Sequence, residues 1–151
     1  MKKIFQKTKE WNGRMGSKTP ETFTDLPTEE RELAFDLMVE ETTEFFEAKD
    51  KNEALDAAAD MLFVAFGNFA KAGLSYEEVE SYLKKVVKSN ESKFADTEEQ
   101  AILSIDKEAR RLNISPNDIS YKEIDGKFVI FNKISGKILK SVLYLSPEQI
   151  D

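Results

Sequence analysis

The sequence predicts a mainly α protein that ends in a small β region. Two observations carry this expectation. Residues 28–48 and 53–72 hold apolar side chains at helical spacing, between residues that start and stop helices. After Pro116 the texture changes to β-branched and aromatic runs at Ile119-Ser-Tyr121, Lys127-Phe-Val-Ile-Phe131 and Ile138-Leu-Lys-Ser-Val-Leu-Tyr144.

The elements follow in order. Residues 2–11 form a short amphipathic helix, in which Ile4, Phe5 and Trp11 are apolar and Phe5 and Trp11 serve as core aromatics. Residues 12–27 contain Gly13, Gly16 and Pro20 before Pro27 and read as a loop. Thr28 is the expected N-cap of a helix reaching Ala48, with Glu29 and Glu30 favourably placed at its positive end. Leu33, Leu37 and Phe45 are its expected buried residues. Asp50-Lys51-Asn52 breaks the pattern, and a second long helix runs from Glu53 to Ala72 with Gly73 as its C′ residue. That helix is apolar on nearly every side, as suits a bundle centre or a subunit interface. Ser75 with Glu78 predicts a capping box for a helix ending near Phe94, and Asp96 with Glu99 predicts another for residues 97–112. A turn at Ile134-Ser-Gly-Lys137 between the last two β runs gives a hairpin or a three-stranded sheet. The expected organisation is a helical body over 1–112 and a β region over 113–151 packed on the same domain.

Composition removes several kinds of chemistry. The chain has no cysteine and no histidine. Disulfides, zinc–thiolate sites, Ser-His-Asp triads and histidine-dependent di-iron sites are excluded together. Acid–base or metal chemistry must then use carboxylates, lysine, tyrosine or water, and an oxygen-only ligand set suits hard cations such as Mg²⁺ or Mn²⁺. A net charge of -7 argues against a general nucleic-acid binder. The N-terminal MKKIFQKTKEW has no signal-peptide core, and no apolar run reaches the ~18 residues of a membrane span. A cytoplasmic protein is expected.

Two carboxylate clusters stand out. Glu40, Glu41 and Glu44 fall within about 100° of one helix face, and Asp56 and Asp60 stand one turn apart on the next helix. A solvated acidic face would carry lysines at i,i+4. Here Glu40 is followed by Glu44, Glu41 by Phe45 and Glu44 by Ala48. The short break between the helices makes them antiparallel neighbours, so the carboxylates can converge. Such a group repels itself unless a cation neutralises it.

The ordered motifs resemble those of the all-α nucleoside triphosphate pyrophosphohydrolases, the MazG-like proteins related to phosphoribosyl-ATP pyrophosphohydrolase. Glu40, Glu41 and Glu44 match E-E-x-x-E. Glu53 and Asp56 spell the second motif, E-x-x-D, but in the register where Asp60 precedes the apolar run, Ala57 holds the usual glutamate position and Asp56 is its substitute. The likeness is strongest to a branch found in phages and bacteria. That branch has an arginine before the first motif (Arg31), D-A-x-x-D with a later glycine (Asp56, Asp60, Gly67) and S-N-x-S-K (Ser89 to Lys93). It ends in G-K-x-L-K-S with a tyrosine (Gly136 to Ser141, Tyr144).

The resemblance implies an all-α NTP pyrophosphatase helical bundle. It would hydrolyse an NTP or dNTP to the monophosphate and pyrophosphate with Mg²⁺ (or Mn²⁺), in the cytoplasm or, if phage-encoded, in that of the host. Glu41, Glu44, Asp60 and Asp56 would hold metal, with Glu53 the competitor for the last place. Glu40 would orient or deprotonate water, or act as a ligand itself. Lys88, Asn90, Lys93 and Lys140 would meet the substrate, with Lys84 and Lys85 as further cations nearby. The resemblance also implies a homodimer or homotetramer, to which Phe63, Phe66 and Phe69 would lend apolar surface. The competing reading is a non-catalytic metal- or nucleotide-binding, regulatory helical oligomer of the same fold.

Overall fold

The computed structural model describes every residue from Met1 to Asp151. Five helices come first: α1 (Lys2–Arg14), α2 (Thr28–Glu47), α3 (Lys51–Lys71), α4 (Tyr76–Glu91) and α5 (Glu98–Leu112). An antiparallel pair of strands follows, β1 (Ile119–Ile124) and β2 (Lys127–Asn132). The fold is therefore mainly α with a small sheet near the C-terminus, as the sequence predicts. No helix is long and apolar enough to cross a membrane. The chain divides into two compact units, Met1–Val79 and Glu80–Asp151, and the boundary falls inside α4. The helix α5 lies in the same unit as both strands.

In the first unit, α2 and α3 are packed neighbours joined by residues 48–50. Asp50 does not merely interrupt the pattern. Its carboxylate accepts from the amides of Asn52 (2.7 Å) and Glu53 (3.0 Å), so α3 starts at Lys51, two residues before the expected start. At the start of α2, Pro27 occupies the cap position and Thr28 is already helical, so the expected Thr28 cap does not form. Thr42 on α2 donates to the sulfur of Met61 on α3 at 3.7 Å.

The side of α3 that carries Phe63 and Phe66 is covered by α1. Trp11 meets Phe63 edge-on at 5.3 Å, and Phe5 meets Phe66 at 5.5 Å. Phe66 packs in turn against Phe69. Phe5 and Phe66 are buried in the unit's own core with Phe69 partly buried against it, while Phe63 is half-buried and Trp11 is exposed. The outward apolar surface lies on α2, which buries none of its residues. Leu33 and Phe45, expected inside, are 53% and 48% exposed, and Phe46 is 88% exposed. Within this unit the main packing partner of α2 is α3.

Two glycines make close approaches possible. A Cβ on Gly67 would lie 2.9 Å from Asn12 Nδ2, so the motif's later glycine lets α1 sit tightly on α3. Gly73 has φ +73°, and a Cβ there would lie 2.0 Å from the Thr22 carbonyl oxygen.

In the second unit, Thr97 caps α5 by accepting from the Gln100 amide at 3.2 Å, and Gln100 Oε1 accepts from the Asp96 amide at 2.9 Å. The cap is thus Thr97, one residue past the expected Asp96, and Gln100 reaches back beyond it to the Asp96 amide. The strands turn at Asp125-Gly126, both with positive φ, as a two-residue type I′ hairpin demands. The third β run does not become a strand and contributes one bridge, Phe131 with Ile138. Beyond it the backbone is held by serine hydroxyls. The Val142 amide donates to Ser104 Oγ (2.9 Å) and the Leu145 amide to Ser92 Oγ (3.0 Å). Ser89 Oγ donates to the Leu145 carbonyl (2.8 Å). Side chains replace the ladder that a third strand would have supplied. Ala95, Ala101, Ala109, Ile119, Ile130 and Leu139 form the core beneath.

Candidate functional site

The helices α2 and α3 bring the five predicted carboxylates together. Glu41 is the centre. Its Oε2 is shut off from water and has no hydrogen-bond partner. Burial is the largest cause that raises the Glu41 carboxyl above its ordinary range, followed by repulsion from Asp60, Glu44, Glu40 and Asp56. Glu40, Glu44, Asp56 and Asp60 are themselves exposed. The desolvated setting expected for the two aspartates is therefore found at Glu41, because Asp56 and Asp60 lie on the open side of α3.

Glu53, Asp56 and Ala57, the positions weighed around the last ligand place, differ in their surroundings. Glu53 Oε2 accepts from the Lys49 amide at 2.7 Å, so this carboxylate closes the turn that leads into α3. Ala57 is 2% exposed, on a side of α3 opposite to that of Phe66. Asp56, about 100° round the helix from Ala57, lines an open cleft of about 320 Å³ with Glu44, Glu47 and Glu53. Asp56 also repels Glu41, whereas Glu53 is absent from the groups that act on it. Arg31, which precedes the first motif, is engaged in its own loop, where Nε donates to the Leu26 carbonyl (2.8 Å) and the guanidinium pairs with Asp25 (2.6 Å).

No three carboxylates are drawn together tightly enough to make a ready-formed metal centre. The donor set nonetheless suits a hard cation. It is all oxygen, four of its members are exposed and free to turn inward, and the fifth presents an enclosed oxygen that nothing in the chain satisfies.

The predicted substrate residues all lie in the second unit and separate into two places. Lys88 lines a groove on α4 with Lys84, Lys85, Leu83, Val87 and Asp151. Asn90, Lys93 and Lys140 lie elsewhere. Lys93 Nζ donates to Asn90 Oδ1 at 2.6 Å, and Asn90 Nδ2 donates to the Val86 carbonyl at 2.9 Å. Lys140 Nζ stands 4.1 Å from the centre of the Tyr144 ring. Hydrogen bonding with Ser89 is the main cause that lowers the Tyr144 hydroxyl pKa, with Lys140 and Lys93 adding to it.

Sequence reasoning quoted Tyr144 as a motif tyrosine but gave it no role. It missed Glu108 altogether. This carboxylate is fully buried, is gripped by Arg111 through two bonds of 2.6 and 2.7 Å, and accepts from the Lys140 amide at 3.3 Å. Burial alone would raise its pKa, but Arg111 and the Lys140 amide more than offset that, and it stays below the ordinary value. The only signal for it was a charged residue at a core position of an amphipathic helix.

Among known families, the family model for phosphoribosyl-ATP pyrophosphohydrolase matches residues 8–87, just over half of the chain, and both carboxylate motifs lie inside the match. No curated protein matches the chain.

Proposed function

Because the chain belongs to the phosphoribosyl-ATP pyrophosphohydrolase family, we propose that it is a Mg²⁺-dependent nucleoside triphosphate pyrophosphohydrolase, with Mn²⁺ as an alternative cation. Family membership points to a pyrophosphohydrolase, a hydrolase acting on acid anhydrides. The finer reading is an NTP or dNTP cleaved to its monophosphate and pyrophosphate. One observation carries it: the enclosed, unpartnered Oε2 of Glu41 amid four further carboxylates. A cluster left in mutual repulsion is a binding site for positive charge, and a polyanionic phosphoanhydride reaches an acidic site only together with such charge.

Glu41, Glu44, Asp56 and Asp60 would hold the cation. When bound, it supplies charge neutralisation at the α-phosphate and at the departing pyrophosphate. Glu40 is exposed beside the cluster and takes a proton from water as the water oxygen joins the α-phosphorus. The bond between the α-phosphorus and the α–β bridging oxygen breaks, and pyrophosphate leaves with that oxygen. Lys88, Asn90, Lys93 and Lys140 would meet phosphate oxygens. The outward apolar residues of α2, Phe35, Phe45 and Phe46 among them, suit a homodimer or homotetramer, in which a second copy covers them. Sedimentation analysis tests that assembly.

The decisive assay is a panel of NTPs and dNTPs with Mg²⁺ or Mn²⁺ that separates pyrophosphate from orthophosphate. Pyrophosphate release from at least one nucleotide is expected, and its loss in Glu41→Gln and Asp60→Asn. Orthophosphate as the sole product, or full activity in those variants, would sink the reading. The buried Ala57 at the usual glutamate position favours one second reading, a metal- and nucleotide-binding protein without turnover. Stabilisation by Mg²⁺ and nucleotide with no product would support it.

A further inference from the structure

The helices α1, α2 and α3 border a cavity of about 190 Å³ in the first unit. Two aromatic rings wall it. Trp11 of α1 and Phe63 of α3 meet with their planes 75° apart, and Trp11 keeps nearly half of its surface open. A flat ring laid on one of them meets the edge of the other. Gly67 lines the same space. A Cβ there would lie 2.9 Å from Asn12 Nδ2, so the missing side chain leaves room beside the Asn12 amide.

Three polar side chains line this cavity with bonding capacity unused. Asn12 is 6% exposed, and its Nδ2 donates to the Thr8 carbonyl at 2.9 Å, which leaves Oδ1 with no donor. The half-buried Asn68 amide and Lys71 ammonium enter no hydrogen bond or salt bridge. Polar groups withdrawn from water are normally paired. Here an acceptor, an amide and a cation stand open around an aromatic-walled space.

The cavity also continues the acidic cluster. Leu37, which lines it, precedes Glu41 by one turn of α2, and Val64 follows Asp60 by one turn of α3. The two helices are joined by residues 48–50 and Thr42 meets Met61 across them, so both steps lead the same way. At 1.5 Å per residue the cavity begins about 6 Å along the axis from Asp60, a gap that one sugar bridges.

We propose that this cavity takes the base of the nucleotide, and that Asn12, Asn68 and Lys71 select a pyrimidine with two ring carbonyls, the uracil and thymine class. The proposal deepens the pyrophosphohydrolase reading, which places the phosphates on the acidic cluster. The base site itself stands on the cavity. Its volume falls below the 300–1,000 Å³ of sites for larger ligands, which suits a single ring over a fused pair. Stacking on Trp11 or Phe63 holds any base, so the polar groups make the choice. Lys71 has donors only and needs a carbonyl. Asn12 Oδ1 accepts from the ring N–H between two carbonyls, and the Asn68 amide donates to the second carbonyl. Cytosine would turn an amino group toward one of these donors, and adenine carries no carbonyl at all. A mispaired polar group in such a site is what gives discrimination.

The chain has a single tryptophan, so Trp11 fluorescence reports the site directly. Deoxyuridine, thymidine, deoxycytidine and deoxyadenosine are titrated into the full chain in chelator, where neither phosphate nor metal contributes. Deoxyuridine and thymidine should quench Trp11 saturably, and the other two should bind about tenfold more weakly or less well still. Asn68→Ala and Lys71→Met should each weaken deoxyuridine about five- to tenfold, the scale of one hydrogen bond. Lys71→Arg should keep the wild-type affinity. Neither side chain has a partner in the chain, so the melting curves of these variants should match wild type. No saturable quenching at millimolar deoxyuridine overturns the proposal. So does equal binding of the four nucleosides, a preference for deoxyadenosine or deoxycytidine, or wild-type affinity in both Asn68→Ala and Lys71→Met. If deoxyuridine binds as described but no nucleotide is hydrolysed, the base site stands and the hydrolase reading falls. Hydrolysis with the same kcat/KM for all four deoxynucleoside triphosphates has the opposite meaning.

Discussion

Replacing Glu41 with glutamine should stabilise the protein in chelator and remove its response to Mg²⁺. Glu41 is repelled by Asp60 and Asp56 on α3 and by Glu44 and Glu40 on its own helix. Like charges one turn apart on a helix cost about 0.2–0.5 kcal/mol each, and at the low end of that scale the four neighbours amount to about 1 kcal/mol. Glutamine keeps the shape, removes the charge and offers an N–H to the neighbouring carboxylates where Oε2 has no partner. For a chain of 151 residues this is a rise in Tm of about 2–4 °C. The assay is thermal melting in EDTA and then in Mg²⁺. A cation at a hundredfold its Kd adds about 2.7 kcal/mol to the state that binds it, so wild type should overtake the variant once Mg²⁺ is present. The reasoning fails if Glu41→Gln melts below wild type in EDTA, or if both proteins gain equally from Mg²⁺.

Three further outcomes follow from the geometry. Glu53→Ala should lose about 1 kcal/mol of stability with its bond to the Lys49 amide yet keep the Mg²⁺ shift in Tm, whereas Asp56→Asn should lose the shift. Gly73→Ala should lower stability in urea by about 2–4 kcal/mol, because it combines a positive φ with a backbone clash, while Gly67→Ala meets only the end of the Asn12 side chain and should lose less. Glu108 has a folded-state pKa below its unfolded value of about 4.3, so its stabilisation is present above that value and is lost as pH falls through the folded one. Glu108→Gln should therefore be about 1–3 kcal/mol less stable at pH 7 and unfold with a shallower acid dependence, as followed by circular dichroism against pH.

The helices of the fold were legible because their ends are local chemistry. Ser75 and Glu78 form the box their spacing announces, with bonds of 2.6 to 3.2 Å, and Gly73 takes the left-handed conformation its position demands. The errors lie where local signals compete. Thr97 with Gln100 and Asp96 with Glu99 have equally good spacing on paper, and it is Thr97 that caps α5. The turn expected at Ile134 to Lys137 forms and brings Phe131 and Ile138 into an antiparallel bridge, whereas the Asp125-Gly126 hairpin turn, equally readable, was passed over. The run from Ile138 to Tyr144 has strand composition, and no local rule foretells that Ser104, 38 residues away, will take the Val142 amide or that Ser141 will give its hydroxyl to the Ser92 carbonyl.

The acidic site shows why charge pattern and burial must be read together. Composition and spacing located all five carboxylates, since like charges at i,i+4 without lysine partners are a local oddity. They did not reveal which one would be enclosed. That depends on where α2 meets α3, and the answer is Glu41, while the aspartates of the apolar helix face outward. The same geometry accounts for Ala57. A buried residue of α3 is best small where two helices approach closely, and Asp56, one position earlier, lines the open cleft instead. On the proposed metal-binding reading, a one-residue shift of the acidic side chain along the helix would keep an oxygen at the site and a methyl where α3 is buried, and a buried Ala57 beside an open Asp56 is the pairing that such a compensation would need.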